Sequence, residues 1–147
     1  MKTKKWLTHL NGHLMCAIDV ETTGLDPDHF EIYQVAILPL DANLELSKDY
    51  QPFDIYIKPE NVDDIIWGDL PSGAKSAITK AIEIGFDAFT AMELFEEWFR
   101  QLELFEGKKI TPLGHNYTFD RDHLVKWLVW NHYNNYFHGF IRDLLQA

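Results

Sequence analysis

Ala17-Ile18-Asp19-Val20-Glu21-Thr22-Thr23-Gly24-Leu25-Asp26-Pro27 joins an apolar run to two acids and a glycine turn. From Leu14 to Val20 the chain is apolar on both faces, is bounded by Gly12 and Gly24, and is too short for a helix, so it predicts a central strand. Alternate side chains of a strand point to one side, so Asp19 and Glu21 project together while Val20 faces away. Two carboxylates held this close repel, and a buried strand beside them makes the double charge costly unless a cation sits between them. Hard divalent ions such as Mg2+ or Mn2+ take oxygen ligands of this kind. For an isolated Asp-x-Glu the competing reading has more weight: two acids that cap the strand end and bond the amides of the Thr22-Thr23-Gly24 turn.

Further along, Phe30 to Leu40 and the run Phe53-Asp54-Ile55-Tyr56-Ile57 predict antiparallel strands that extend the sheet, with Pro39, Pro52 and Pro59 at edges or strand ends. Glu60 to Gly73 reads as a loop. Gly68-Asp69-Leu70-Pro71-Ser72-Gly73-Ala74-Lys75-Ser76 approaches a phosphate-binding loop, but Ala74 stands between glycine and lysine and the spacing fails. Ala74 to Ile84 predicts a helix capped by Ser72 or Ser76. Thr90 and Glu93 form a capping box, and Leu94, Phe95, Trp98, Phe99 and Leu102 recur at helical spacing, so a helix over Ala91 to Leu104 is expected, its aromatic stripe facing the core. Lys109 to Gly114 predicts a short strand. Leu124, Val125, Leu128 and Val129 mark a further helix with Asp120 at its start, where a carboxylate also serves as a cap.

With 147 residues, 46% hydrophobic and 14% aromatic, the chain fits one domain around one core. The only cysteine, Cys16, lies in the apolar strand, which leaves no disulfide framework and points to a reducing compartment, the cytoplasm by default. Lys2, Lys4 and Lys5 resemble the basic start of a signal peptide, but Trp6 to His13 is too polar to continue one, and no run reaches membrane-spanning length. A net charge of −10 argues against a broad basic surface for nucleic acid, yet a pocket of carboxylates carrying divalent ions reverses its local sign.

Two segments together resemble one family. Asp19-Val20-Glu21-Thr22-Thr23-Gly24-Leu25 is similar to the first signature of the DEDD (DnaQ-like, RNase T-like) 3′→5′ exonucleases, and His115-Asn116-Tyr117-Thr118-Phe119-Asp120-Arg121-Asp122-His123-Leu124 is similar to their His-Asn-x-x-Phe-Asp-x-x-x-Leu segment. The resemblance implies an α/β, ribonuclease H-like mixed sheet flanked by helices, as a single exonuclease-like domain over 1–147. It implies that Asp19, Glu21 and Asp120 are catalytic and hold two Mg2+ or Mn2+ ions roughly 4 Å apart. Thr22, Thr23, Leu25, Asn116 and Phe119 would then receive the terminal nucleotide, and the reaction would release 5′-mononucleotides from single-stranded or 3′-ended DNA or RNA.

The family also requires a fourth acid and, in its histidine or tyrosine branches, a base shortly before it. His138 and Asp143 have the His-x-x-x-x-Asp spacing, but Tyr136 to Asp143 looks more like the strand that precedes the last motif in the oligoribonuclease branch. On that reading the domain lacks its C-terminal helix, since Leu144-Leu145-Gln146-Ala147 is an apolar ending without a stop signal. His115 and His123 are the local alternatives for a base, and both read more simply as scaffolding or as a solvated helix face. The alternative function is a catalytically incomplete module of this fold that binds nucleic acid ends or a protein partner.

Overall fold

The computed structural model describes residues 12–139 and 142–143. The readings placed on Lys2, Lys4, Lys5, Trp6 to Asn11 and Leu144 to Ala147 lie outside these residues. Among the described residues five strands form one mixed sheet in the order β3-β2-β1-β4-β5, with β1 Leu14–Thr22, β2 Ile32–Pro39, β3 Phe53–Tyr56, β4 Ile110–Gly114 and β5 Arg142–Asp143. β1 is central as its two-sided apolar character requires. It pairs antiparallel with β2 and parallel with β4, and β2 pairs antiparallel with β3. β5 runs parallel to β4, so the stretch ending at Asp143 continues the sheet and does not enter a late helix. The fold is the α/β mixed sheet expected.

Alternation along β1 divides the molecule. Leu14, Cys16, Ile18 and Val20 share a buried cluster with Val35, Ile37 and Phe53 of the sheet and with α2 (Ala88–Gln101) and α3 (Tyr117–Tyr136). Phe95 is the hub of that layer, its ring within 5.8 Å of Phe53 and Phe137 and 5.2 Å of Tyr136. The aromatic stripe of α2 is therefore core, with Phe95, Trp98 and Leu102 buried. Met15, Ala17, Asp19 and Glu21 point the other way. On that face α1 (Ser72–Ile84) covers only the β2–β3 side, through a cluster of Tyr33, Ile65, Ile78 and Ala81.

The expected caps are corrected. α1 starts from Pro71 in extended backbone with no side-chain cap, so neither Ser72 nor Ser76 fills that role. Proline presets the entry and removes one amide that would need a partner. α2 begins three residues earlier than expected because Asp87, not Thr90, caps it: Asp87 Oδ1 accepts from the Thr90 amide at 2.8 Å and Oδ2 from the Thr90 hydroxyl at 2.8 Å. The Glu60 to Gly73 loop holds two short 3-10 turns, 62–64 and 67–69.

Candidate functional site

β4 is paired with β1 only as far as Ala17, opposite Leu113. Beyond that point the β4 side of β1 is open, and the first turn of α3 comes to lie against it. A tight turn leads there: Gly114 ends β4, Asn116 takes left-handed backbone with φ 55°, and α3 begins at Tyr117. Asp120 sits in that first turn and is 5% exposed. Its carboxyl hydrogen-bonds the Val20 backbone, near the end of β1 between Asp19 and Glu21. Residues a hundred positions apart are thus joined by the parallel β1–β4 crossover, and all three acids named from the sequence meet at one end of one strand.

The electrostatics record this meeting. Asp120 is pushed up to about 7, first by burial and then by the Asp19 charge; the Val20 hydrogen bond pulls the other way, and Glu21 adds a smaller rise. Glu21 is also held above the ordinary carboxylate range by lost hydration, by the Asp19 charge and by a hydrogen bond with Asp19. The site therefore demands positive charge, as protons or as a cation.

An all-oxygen donor set with a buried member suits a hard divalent ion. Among the described residues, however, no group of three or more His, Cys, Asp or Glu side chains is spaced to enclose an ion. Asp120 is turned to the Val20 backbone and Glu21 to Asp19. Convergence of the three acids is observed; a ready-made cage for two ions is not.

Of the residues expected at the nucleotide, Leu25 is 81% exposed at the tip of the turn after β1. Thr23 points inward: its amide donates to the Glu31 carbonyl at 2.9 Å and its hydroxyl accepts from the Glu31 amide at 3.0 Å. Thr22 Oγ1 donates to the Gly24 carbonyl at 2.7 Å. Phe119 is half-buried, its ring 4.7 Å from His123, and Asn116 is exposed. His123 is 2% exposed, and Nε2 lies 3.3 Å from the Leu25 carbonyl, to which it donates in the tautomer protonated there. Burial holds its pKa below the usual value, so the ring is a neutral strut between α3 and the Leu25 turn. Sequence reasoning had left open a solvated helix face; the structure selects scaffolding.

His138 does not join the acids. Its amide donates to Ile110 at the start of β4, and its ring stands 4.1 Å from that of His13. That is the opposite end of β1 from Glu21, several strand residues away at about 3.3 Å each. The residue missed in the sequence is Tyr33, treated there only as part of an apolar strand. Glu21 pairs with Gln34 and Thr22 with Ile32, so Tyr33 is an extra residue in β2, and no sequence pattern announces such a bulge.

A family model described as RNase T, exonuclease, matches residues 16–66. The oligoribonuclease of Dichelobacter nodosus (strain VCS1703A) is 27% identical over 139 residues, covering 87% of this chain and 73% of the relative. A product-bound structure of exonuclease I is similar over 91% of this chain, with TM-score 0.60 and 21% identity. An E. coli exonuclease I in complex with a 5cy-dA13 oligonucleotide is similar over 84% of this chain, with TM-score 0.58 and 22% identity. The chain spans 30% and 25% of those two exonuclease I chains, so the likeness to them is one of fold.

Proposed function

We propose that the chain belongs to the DEDD-type 3′→5′ exonuclease family and hydrolyses the terminal phosphodiester bond of 3′-ended single strands, releasing 5′-mononucleotides, with divalent cations held by Asp19, Glu21 and Asp120. The observation that carries this reading is the convergence of three acids, one buried, on the open end of β1. A bound Mg2+ or Mn2+ pair would supply activated water and stabilise the departing 3′ oxygen. The chain's own residues do the rest. Asp19 and Glu21 present oxygens from a rigid strand; Asp120 completes the set from the helix by turning from the Val20 backbone. Leu25, steadied by His123, and Phe119 offer apolar surface to the terminal nucleoside, and Asn116 lies at the same turn. The relative named oligoribonuclease and the oligonucleotide held by an exonuclease I favour a short single strand as substrate.

The test uses a 5′-labelled oligonucleotide with Mg2+ or Mn2+. The wild-type chain should give a ladder shortened from the 3′ end, and Asp19→Ala should give none. A ladder that survives this substitution removes the proposal. A second reading, binding without cleavage, is favoured by one observation: His138, the histidine with the family's spacing before an acid, sits beside His13 at the far end of the sheet, and His123 is occupied as a strut, so neither is placed as a base at the acids. Retained binding of the oligonucleotide with no ladder from the wild-type chain would select that reading.

A further inference from the structure

The end of β1 opposite the acids is closed through a histidine. His13 Nδ1 accepts from the Lys109 amide at 3.0 Å, and the Leu14 amide donates to the Lys109 carbonyl at 2.9 Å, so the residue before β4 is held to the start of β1 by both its backbone groups. Only the first of these bonds depends on a side chain. The imidazole lies 4.1 Å, ring to ring, from that of His138, whose amide donates to the Ile110 carbonyl at 2.6 Å. Phe137 pairs with Ile110 as a parallel bridge, and Lys109 Nζ donates to the Asn134 carbonyl at 2.6 Å. One histidine thus stands where the start of β1, the start of β4 and the chain leaving α3 meet.

A ring nitrogen accepts a backbone N–H only while it carries no proton. Neutral His13 meets that condition with its proton on Nε2, whereas the imidazolium has an N–H on both nitrogens and would set donor against donor at Lys109. Among the described residues, the charges felt at His13 are those of His138, Lys108 and Lys109; burial first, and then these three, hold its pKa below the ordinary 6.5. Acids on adjoining segments are engaged elsewhere: Glu103 and Glu106 line a groove with Lys108 and Lys109 on the loop before β4, and Asp41 beyond β2 accepts from the Asn43 and Glu45 amides. His132, toward the end of α3, is exposed. We propose that His13 is an acid-released latch: a proton on Nδ1 parts the start of β4 from β1 and loosens the Phe137–His138 connection, while the end of β1 that carries Asp19 and Glu21 stays paired with β2. The contribution of the latch to stability is complete above about pH 6.5 and is lost as pH falls through the lower value of the folded chain. Asp120 acts in the opposite sense, so the latch has to be read locally.

The experiment follows the isotope-labelled full chain by NMR from about pH 8 to about pH 5, reading amide protection against hydrogen exchange together with the titration of the histidine rings. In the wild-type chain the protection of the Lys109 amide should fall by about tenfold at the pH where the His13 ring titrates. Core amides of β2 should keep their protection through the same range. His13→Asn sets an amide oxygen in place of Nδ1 and has nothing to titrate there, so its Lys109 protection should be level across the range. Wild-type protection that ignores the His13 titration overturns the proposal, as does a wild-type pH profile that persists in His13→Asn. A loss shared equally by β2 shows unfolding of the whole sheet and overturns it too. Should His13→Asn fail to fold, agreement or disagreement of the Lys109 and His13 midpoints in the wild-type chain decides alone.

Discussion

Asp120 carries a stability cost that follows from its place beside Asp19 and Glu21. Its carboxyl titrates at about 7 in the folded chain, against an ordinary value near 3.8, because burial and the Asp19 charge both disfavour its anion. Between those values the folded chain binds more protons at this position than the unfolded one, so the contribution of Asp120 to stability falls as pH rises through that window. Asp120→Asn removes the penalty. The variant should melt higher than wild type at pH 8 without divalent ions, with the gap closing toward pH 4, and it should have lost exonuclease activity. A gap independent of pH would show that the carboxyl is not strained in this way. The turn carries a second restriction. A Cβ on Gly24 would stand 2.3 Å from the Phe30 ring, far inside contact distance. Gly24→Ala should therefore cost about 1–3 kcal/mol in urea denaturation, and much less when Phe30 is also shortened to Ala. Asp19 and Glu21 were legible in the sequence because a two-residue period fixes relative direction without any tertiary knowledge. Asp120 was not legible by that route, since its place beside Val20 depends on a crossover a hundred residues long; only the second motif pointed to it.

The elements were legible where one periodicity ran unbroken, and their ends were not. β1 to β4 and the core stripe of α2 follow from apolar spacing, whereas the start of α2 was misplaced because Asp87, a better acceptor for the Thr90 amide than the expected box, lies one turn earlier. The kink in α3 left no trace in the sequence. Val129 has φ 64° and ψ 148° within the span Tyr117–Tyr136 and is 63% exposed, so it gives up helical geometry without an evident gain in packing. This region of backbone space belongs to glycine, and a β-branched residue there is costly. Val129→Gly exchanges that strain for the smaller entropic cost of glycine and should stabilise the chain by about 1 kcal/mol, read as a rise in melting temperature. A fall would mean that the valine side chain makes a contact worth more than the strain.

At the scale of the whole molecule, net charge decides how nucleic acid can be held. With 23 acidic and 13 basic side chains, the net charge disfavours holding a polyanion along a broad surface, and the acid cluster on β1 is a place for the local sign to reverse once divalent ions are present. Binding should then be confined to the terminal nucleotides. Each phosphate neutralised on a single strand contributes about −0.7 to the slope of log affinity against log salt, so two or three contacts give a slope of about −2. A fluorescent oligonucleotide with a hydrolysis-resistant 3′ linkage, titrated at saturating Mg2+ and rising NaCl, measures this directly. Affinity should change little as the strand grows from about 4 to about 12 nucleotides, and it should vanish when the divalent ion is chelated. A slope near −5 with affinity rising along the strand would instead require an extended cationic track, which a chain of this charge could form only by clustering its few lysines and arginines on one path to the acids.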